Sequence, residues 1–180
     1  MVIDLKYLPP SIQEATGAVA ICTMVCEAAK FKALKPIRAK TGQAVARAVV
    51  VAWIAYMSVP QEIVCDGGSE NIATIMEYMS ELFGVEVILV KAPGEHAVLA
   101  ENAHKQMDAD IERADMRGDL RSFEDVEVMC AIMMMKMNQN HVQNQTAFER
   151  TFGQPPASPV MLHRKLRGGG LLHRPTKTSE

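Results

Sequence analysis

No stretch of this chain is apolar for long enough to cross a bilayer, which takes about 20 residues of helix. The longest apolar run, 44–57, is shorter than that and carries Arg47. The chain therefore reads as something other than a membrane protein. No secretory leader is expected at the start of the sequence, because Asp4 and Lys6 interrupt any apolar segment there. Cysteine is sparse: Cys22, Cys26, Cys65 and Cys130 form neither a CxxC pair nor a dense framework. Cys22 and Cys26 are spaced CxxxC with no second ligand pair nearby, so buried, reduced thiols are expected. That usage fits a reducing compartment. Strong charge of either sign is absent too, the formal net charge being −2 at pH 7. No global field draws the chain to nucleic acid. An anionic partner must be held by local basic patches or by metal ions.

What is present is the material of one soluble globular domain: 180 residues, 48% hydrophobic and 22% charged. A chain of about 150 residues buries roughly 68–70% of its unfolded surface, so a core needs no covalent staples. Apolar alternation predicts strands at 2–8, stopped by Pro9-Pro10, and at 17–26 and 31–37. Their short connections predict an antiparallel meander. Residues 43–58, behind Thr41 as N-cap, are apolar around most of the circumference and predict a helix buried between layers. A strand at 61–65 follows, then a helix from the Ser69 cap to about Phe83, with Gly84 just past its end. A further strand is expected at 85–90, a helix at 97–113 and another at 123–137, whose "MCAIMMMKM" reads as core packing. Trp53 reads as core. The fold class is α/β, a mixed sheet of three antiparallel strands and then parallel ones, with helices on both faces. Residues 161–180, basic and glycine-rich, are expected to form a disordered tail after a core at 2–160.

The stretch "VPQEIVCDGGSEN" puts Asp66 where a strand stops, followed by Gly67 and Gly68. Glycine lets the backbone turn sharply and leaves room beside the carboxylate. An aspartate there can simply cap its own turn. It can also belong to a site, since ligands collect at the carboxyl ends of parallel strands. Asp4 lies in the first strand, and Glu101 lies on a predicted helix with 34 residues between it and Asp66. Two carboxylates at ~4 Å repel by about 4 kcal/mol at an effective dielectric near ~20. Convergence of all three is tolerable if they bind hard divalent cations, which prefer oxygen ligands.

At these residues the chain resembles the catalytic core of the integrases of retroviruses and gypsy-like retrotransposons, within the ribonuclease H-like superfamily. The resemblance runs over roughly 2–160. "VIDLKYLPPS" resembles the family's first strand, "VCEAAKFKALKPIRAKTGQAVARAV" its next strands and long helix, and "VPQEIVCDGGSEN" its segment ending in D-x-G-x-E. "LFGVEVILVKAPGEHAVLAENAH" is similar to the strand, mobile loop and helix bearing the final glutamate. "NQTAFERTFGQPPASP" is similar to the closing phenylalanine-glycine and proline-rich exit.

The resemblance implies a DNA strand-transfer enzyme of a retrotransposon, in which Asp4, Asp66 and Glu101 hold two magnesium or manganese ions. The reactions implied are water-driven trimming of a DNA 3′ end and attack of the new 3′ hydroxyl on target DNA. DNA is the implied partner, pairing with a second copy is implied, and action on chromosomes implies the nucleus. His104, three residues after Glu101, is either support for the acids, a DNA contact or a surface histidine. Lys105 on the same helix can meet phosphate or simply be solvated. Glu95 and His96 are expected in the loop before that helix, near a DNA end. Arg164, Lys165 and Arg167, with Arg174 and Lys177, form the clearest basic cluster, suited to phosphate binding without sequence choice or to solubility alone. The chain departs from the family pattern at Asn102, where arginine is usual, at Asn71-Ile72, and at Ser58-Val59. These departures motivate an alternative reading, a degenerate or domesticated DNA-binding module of the same fold. A ribonuclease H-like nuclease is a third reading. It would need a fourth acid, for which Glu70 and Asp108 are the candidates.

Overall fold

The structure, a computed structural model, describes residues 1–66, 79–81, 84, 86–90, 95–142 and 144–154. Strand β1 (Val2–Tyr7) pairs antiparallel with β2 (Ala20–Val25), and β2 pairs antiparallel with β3 (Lys32–Ile37). This is the expected meander. The other edge of β1 pairs parallel with β4 (Glu62–Asp66), which pairs parallel with β5 (Glu86–Val90). The order across the sheet is β3-β2-β1-β4-β5. β1 is therefore central, and its neighbour on the parallel side is the strand that ends in Asp66.

Every residue of β2 is buried, because both faces of the sheet are covered. On one face lies a helical segment of three parts: α2 (Gly42–Val49), a π turn (Val50–Ile54) and α3 (Ala55–Met57). With α6 (Ala147–Phe152) it closes a core of Ile3, Cys22, Met24, Val49, Trp53 and Ile63. The opposite face carries α1 (Pro10–Thr16), α4 (Glu95–Arg117) and α5 (Phe123–Asn138). There Ile21, Val25 and Leu34 meet Ile12, Met107 and Met133. The mixed α/β sheet with helices on both faces is the one expected from the sequence. A small hairpin of β6 (His141–Val142) and β7 (Gln145–Thr146) precedes α6.

Four local expectations change. Pro9-Pro10 end β1 but also start α1, since proline at the first helical position lacks only an N–H that would have no partner there. Gly17, at φ +70°, closes that helix in the left-handed conformation. The segment at 43–58 is not buried all round. Its sheet-facing side is covered, while Val51 and Tyr56 are 43% and 77% exposed. Apolar content on every side described composition there, and packing used only one side. Helix α4 starts at Glu95 and runs to Arg117, so Glu95 and His96 belong to a helix rather than to the loop before it.

Helix α5 matches its expected span and opens with a capping box, Ser122 and Asp125. Of its methionines, Met133 and Met137 are buried and Met135 is half-exposed, so the cluster serves mainly as core. Trp53 is buried, edge-on to Phe31. No cysteine is in a disulfide. Gly84 (φ +63°) donates its N–H to the Ser80 carbonyl at 2.9 Å, the expected helix stop. The Ser69 cap and the tail from 161 lie outside the described residues.

Candidate functional site

Residues matched across a parallel ladder share a face of the sheet. Val2 pairs with Val64, and both pack against Ala100 of α4. Two residues further along β1, alternation puts Asp4 on the same face. The next matched pair is Ile3 with Cys65, so the ladder continued by one residue brings the position of Asp66 level with Asp4. Asp66 is the last residue of β4, at its carboxyl end. On the other side of Asp4, directly opposite it in β2, stands Thr23. By register, the positions of Thr23, Asp4 and Asp66 thus form one row across three strands.

Helix α4 docks through Ala103, Met107 and Ile111, whose spacing makes one stripe along the helix. Glu101 and His104 stand one turn apart on it, about 4.5 Å along the axis. His104 turns toward the sheet, with Nδ1 at 3.7 Å from Asp4 Oδ2. Asp4 Oδ1 accepts the Leu5 N–H at 2.7 Å. Glu101 is 60% exposed and holds Lys105 Nζ at 2.7 Å. The fold therefore joins Asp4 to His104 and sets Glu101 one turn away, with its carboxylate engaged by Lys105. Among the described residues no three acidic, histidine or cysteine side chains stand close enough to share an ion. The side chain of Asp66 is outside that description, as is that of His96.

The electrostatics follow from these contacts. The Lys105 hydrogen bond, then its charge, lowers the Glu101 carboxyl below its ordinary range. Burial lowers the His104 imidazole, favouring its neutral form; Asp4 and Asp108 oppose this and Lys6 adds to it. The Cys22 thiol is pushed up to about 12, chiefly by burial and then by the negative charge of Asp4. Lys6 forms an ion pair with Asp108 across β1 and α4. Asp108, a candidate for the fourth acid that a ribonuclease H-like nuclease would need, is thus paired with Lys6 in this arrangement. Glu70 lies outside the described residues.

The donors present suit a hard divalent cation. Asp4 is 40% exposed, its Oδ2 is beyond normal hydrogen-bond range of His104, and both Asp4 and Glu101 offer carboxylate oxygens to solvent. Lys105, read as a phosphate contact, is spent on Glu101 in this arrangement. Arg164, Lys165 and Arg167 lie outside the described residues. Sequence reasoning missed Thr23. Its one signal is a hydroxyl in an otherwise apolar strand, "AICTMV", and only the ladder shows that it faces Asp4.

No family model matches the chain, and no curated protein matches it. Among solved structures it is similar to the catalytic core domain of BIV integrase, with a TM-score of 0.64 and 15% sequence identity. The similarity covers 84% of this chain and 92% of that one. At that identity the likeness is one of fold: this chain has the fold of a retroviral integrase catalytic core.

Proposed function

We propose that residues 2–160 are the catalytic domain of a retrotransposon integrase, a metal-dependent polynucleotidyl transferase that acts on DNA. The observation that carries this reading is the β1–β4 register, which sets Asp4 and Asp66 at adjacent strand positions under the helix bearing Glu101. The solved core that the chain is similar to belongs to an integrase, which supports the same reading.

Asp4, Asp66 and Glu101 would hold two magnesium or manganese ions. When bound, such a pair supplies an activated nucleophile and a stabilised leaving oxygen for in-line phosphoryl displacement. The chain's own residues have narrower tasks. Asp4 is anchored by the Leu5 N–H and keeps its second oxygen toward the site. Glu101 must leave Lys105 to join the acids, and that exchange frees an ammonium for a DNA phosphate one turn from the reacting centre. The basic tail at 161–180 adds affinity of the salt-dependent, sequence-independent kind.

The test is a strand-transfer assay with a short duplex and manganese. Joined products are expected, and Asp66→Asn or Asp4→Asn should remove them. Duplex binding without joining would replace the enzyme with a non-catalytic module of the same fold. Cleavage of RNA–DNA hybrids without joining would replace it with a nuclease.

A further inference from the structure

Two buried side-chain polar atoms among the described residues have no hydrogen-bond partner: Thr23 Oγ1 and His104 Nε2. Both belong to the surroundings of Asp4. Thr23 is fully buried and directly opposite Asp4 in the β1–β2 ladder, on the α4 side between Ile21 and Val25. His104 comes down from α4 between Ala103 and Met107, and its other ring nitrogen faces Asp4 Oδ2. A buried polar atom without a partner is costly, so two flanking one carboxylate call for an explanation. They are chemically complementary. A threonine hydroxyl can donate, and a neutral imidazole has one donor and one acceptor nitrogen.

We propose that His104 and Thr23 are positioning residues for Asp4: by closing the 3.7 Å gap, His104 donates Nδ1–H to Asp4 Oδ2, while its Nε2 accepts from the Thr23 hydroxyl through one water. The inference rests on the reading of Asp4 as a metal-holding acid and deepens it. With Oδ1 tied to the Leu5 N–H and Oδ2 oriented by the ring, the carboxylate plane has one setting instead of several. This is the arrangement by which outer groups orient metal ligands, and losing such a group lowers metal affinity by roughly 10–100-fold. The ring would then act through Asp4 rather than touch DNA.

Two measurements on the full chain test this. In histidine-labelled protein at neutral pH, nitrogen NMR should show His104 as the Nδ1–H tautomer, and Thr23→Val should shift its Nε2 resonance. An Nε2–H tautomer in the wild-type protein would overturn the proposal without any variant having to fold. Manganese binding, read by calorimetry, should weaken by about 10-fold in His104→Leu. Asparagine places an amide N–H near the Nδ1 position, so His104→Asn should restore most of the affinity. Thr23→Val should weaken binding, and Thr23→Ser should restore it. In the joining reaction His104→Leu should lower kcat and leave the KM for DNA unchanged. A raised KM with wild-type manganese affinity would make His104 a DNA contact and overturn the inference. The two readings fail differently. If Asp4→Asn binds manganese like the wild type, the proposed function falls. If Asp4→Asn loses manganese and His104→Leu does not, only the positioning role falls.

Discussion

Lys105 and Glu101 hold each other across one turn of α4, with 2.7 Å between Nζ and the carboxylate. The lysine hydrogen bond and charge lower the Glu101 carboxyl below its ordinary value of 4.5. A carboxyl lowered in the folded state stabilises it above that ordinary value, and the contribution is lost as pH falls through the folded one. Here it is small, because solvent screens an exposed pair. Lys105→Met should let Glu101 titrate nearer 4.5 when followed by carboxyl NMR, and an unmoved midpoint would acquit the lysine. The cysteines give a second residue-scale contrast. Cys22 and Cys130 are buried and their thiols are pushed up to about 12, whereas Cys26 is only half-buried. Thiolate is the reactive form, so iodoacetamide at about pH 8 should mark Cys26 first. Fast labelling of Cys22 in native protein would mean that β2 opens locally, which a peptide map would reveal.

At the scale of elements, α5 is tied to the outer strand β3 by the Lys35–Glu127 ion pair and by the amide of Asn138. Asn138 Oδ1 accepts the Lys32 N–H at 2.8 Å, and Nδ2 donates to the Lys32 carbonyl at 2.7 Å. The amide thus does for the exposed edge of β3 what a neighbouring strand would do. Asn138 is 3% exposed, so removing it strands partly buried backbone groups of Lys32 as well as losing two bonds. Asn138→Leu should cost about 2–3 kcal/mol in urea unfolding. A loss under about 0.5 kcal/mol would mean that water replaces the amide freely. The same α5 closes the core that α4 rests on, through Cys130 and Met133. Loosening α5 should therefore be felt at the helix that carries Glu101 and His104.

For the molecule as a whole, the sheet separates two cores, with Asp4 midway along central strand β1 and Asp66 at the end of its neighbour β4. Under the proposed function Asp4, Asp66 and Glu101 converge and repel one another unless a cation intervenes, so metal should bind the native state and raise its melting temperature. Magnesium at about 100 times its dissociation constant adds roughly 2.7 kcal/mol. In a chain of this size that is a rise of about 5–10 °C. Asp4→Asn should melt at the same temperature with and without magnesium. Equal melting of the wild-type protein with and without millimolar magnesium would remove the cation from the account.

Much of this was legible along the chain. Alternation, prolines, glycines and caps fixed which segments became strands and helices, because those preferences act within a few residues. Asp66 was placed at a strand end for the same reason. The side of the α2 segment left exposed, the helix beginning at Pro10, and the bond from Asn138 to β3 depended on which surfaces met. So did the site. That Asp4, Thr23 and the Asp66 position form one row was decided by strand register, and that His104 faces Asp4 while Glu101 turns to Lys105 was decided by how α4 docks. Local propensity is short-ranged and chooses elements. Only packing, which joins residues a hundred positions apart, chooses neighbours.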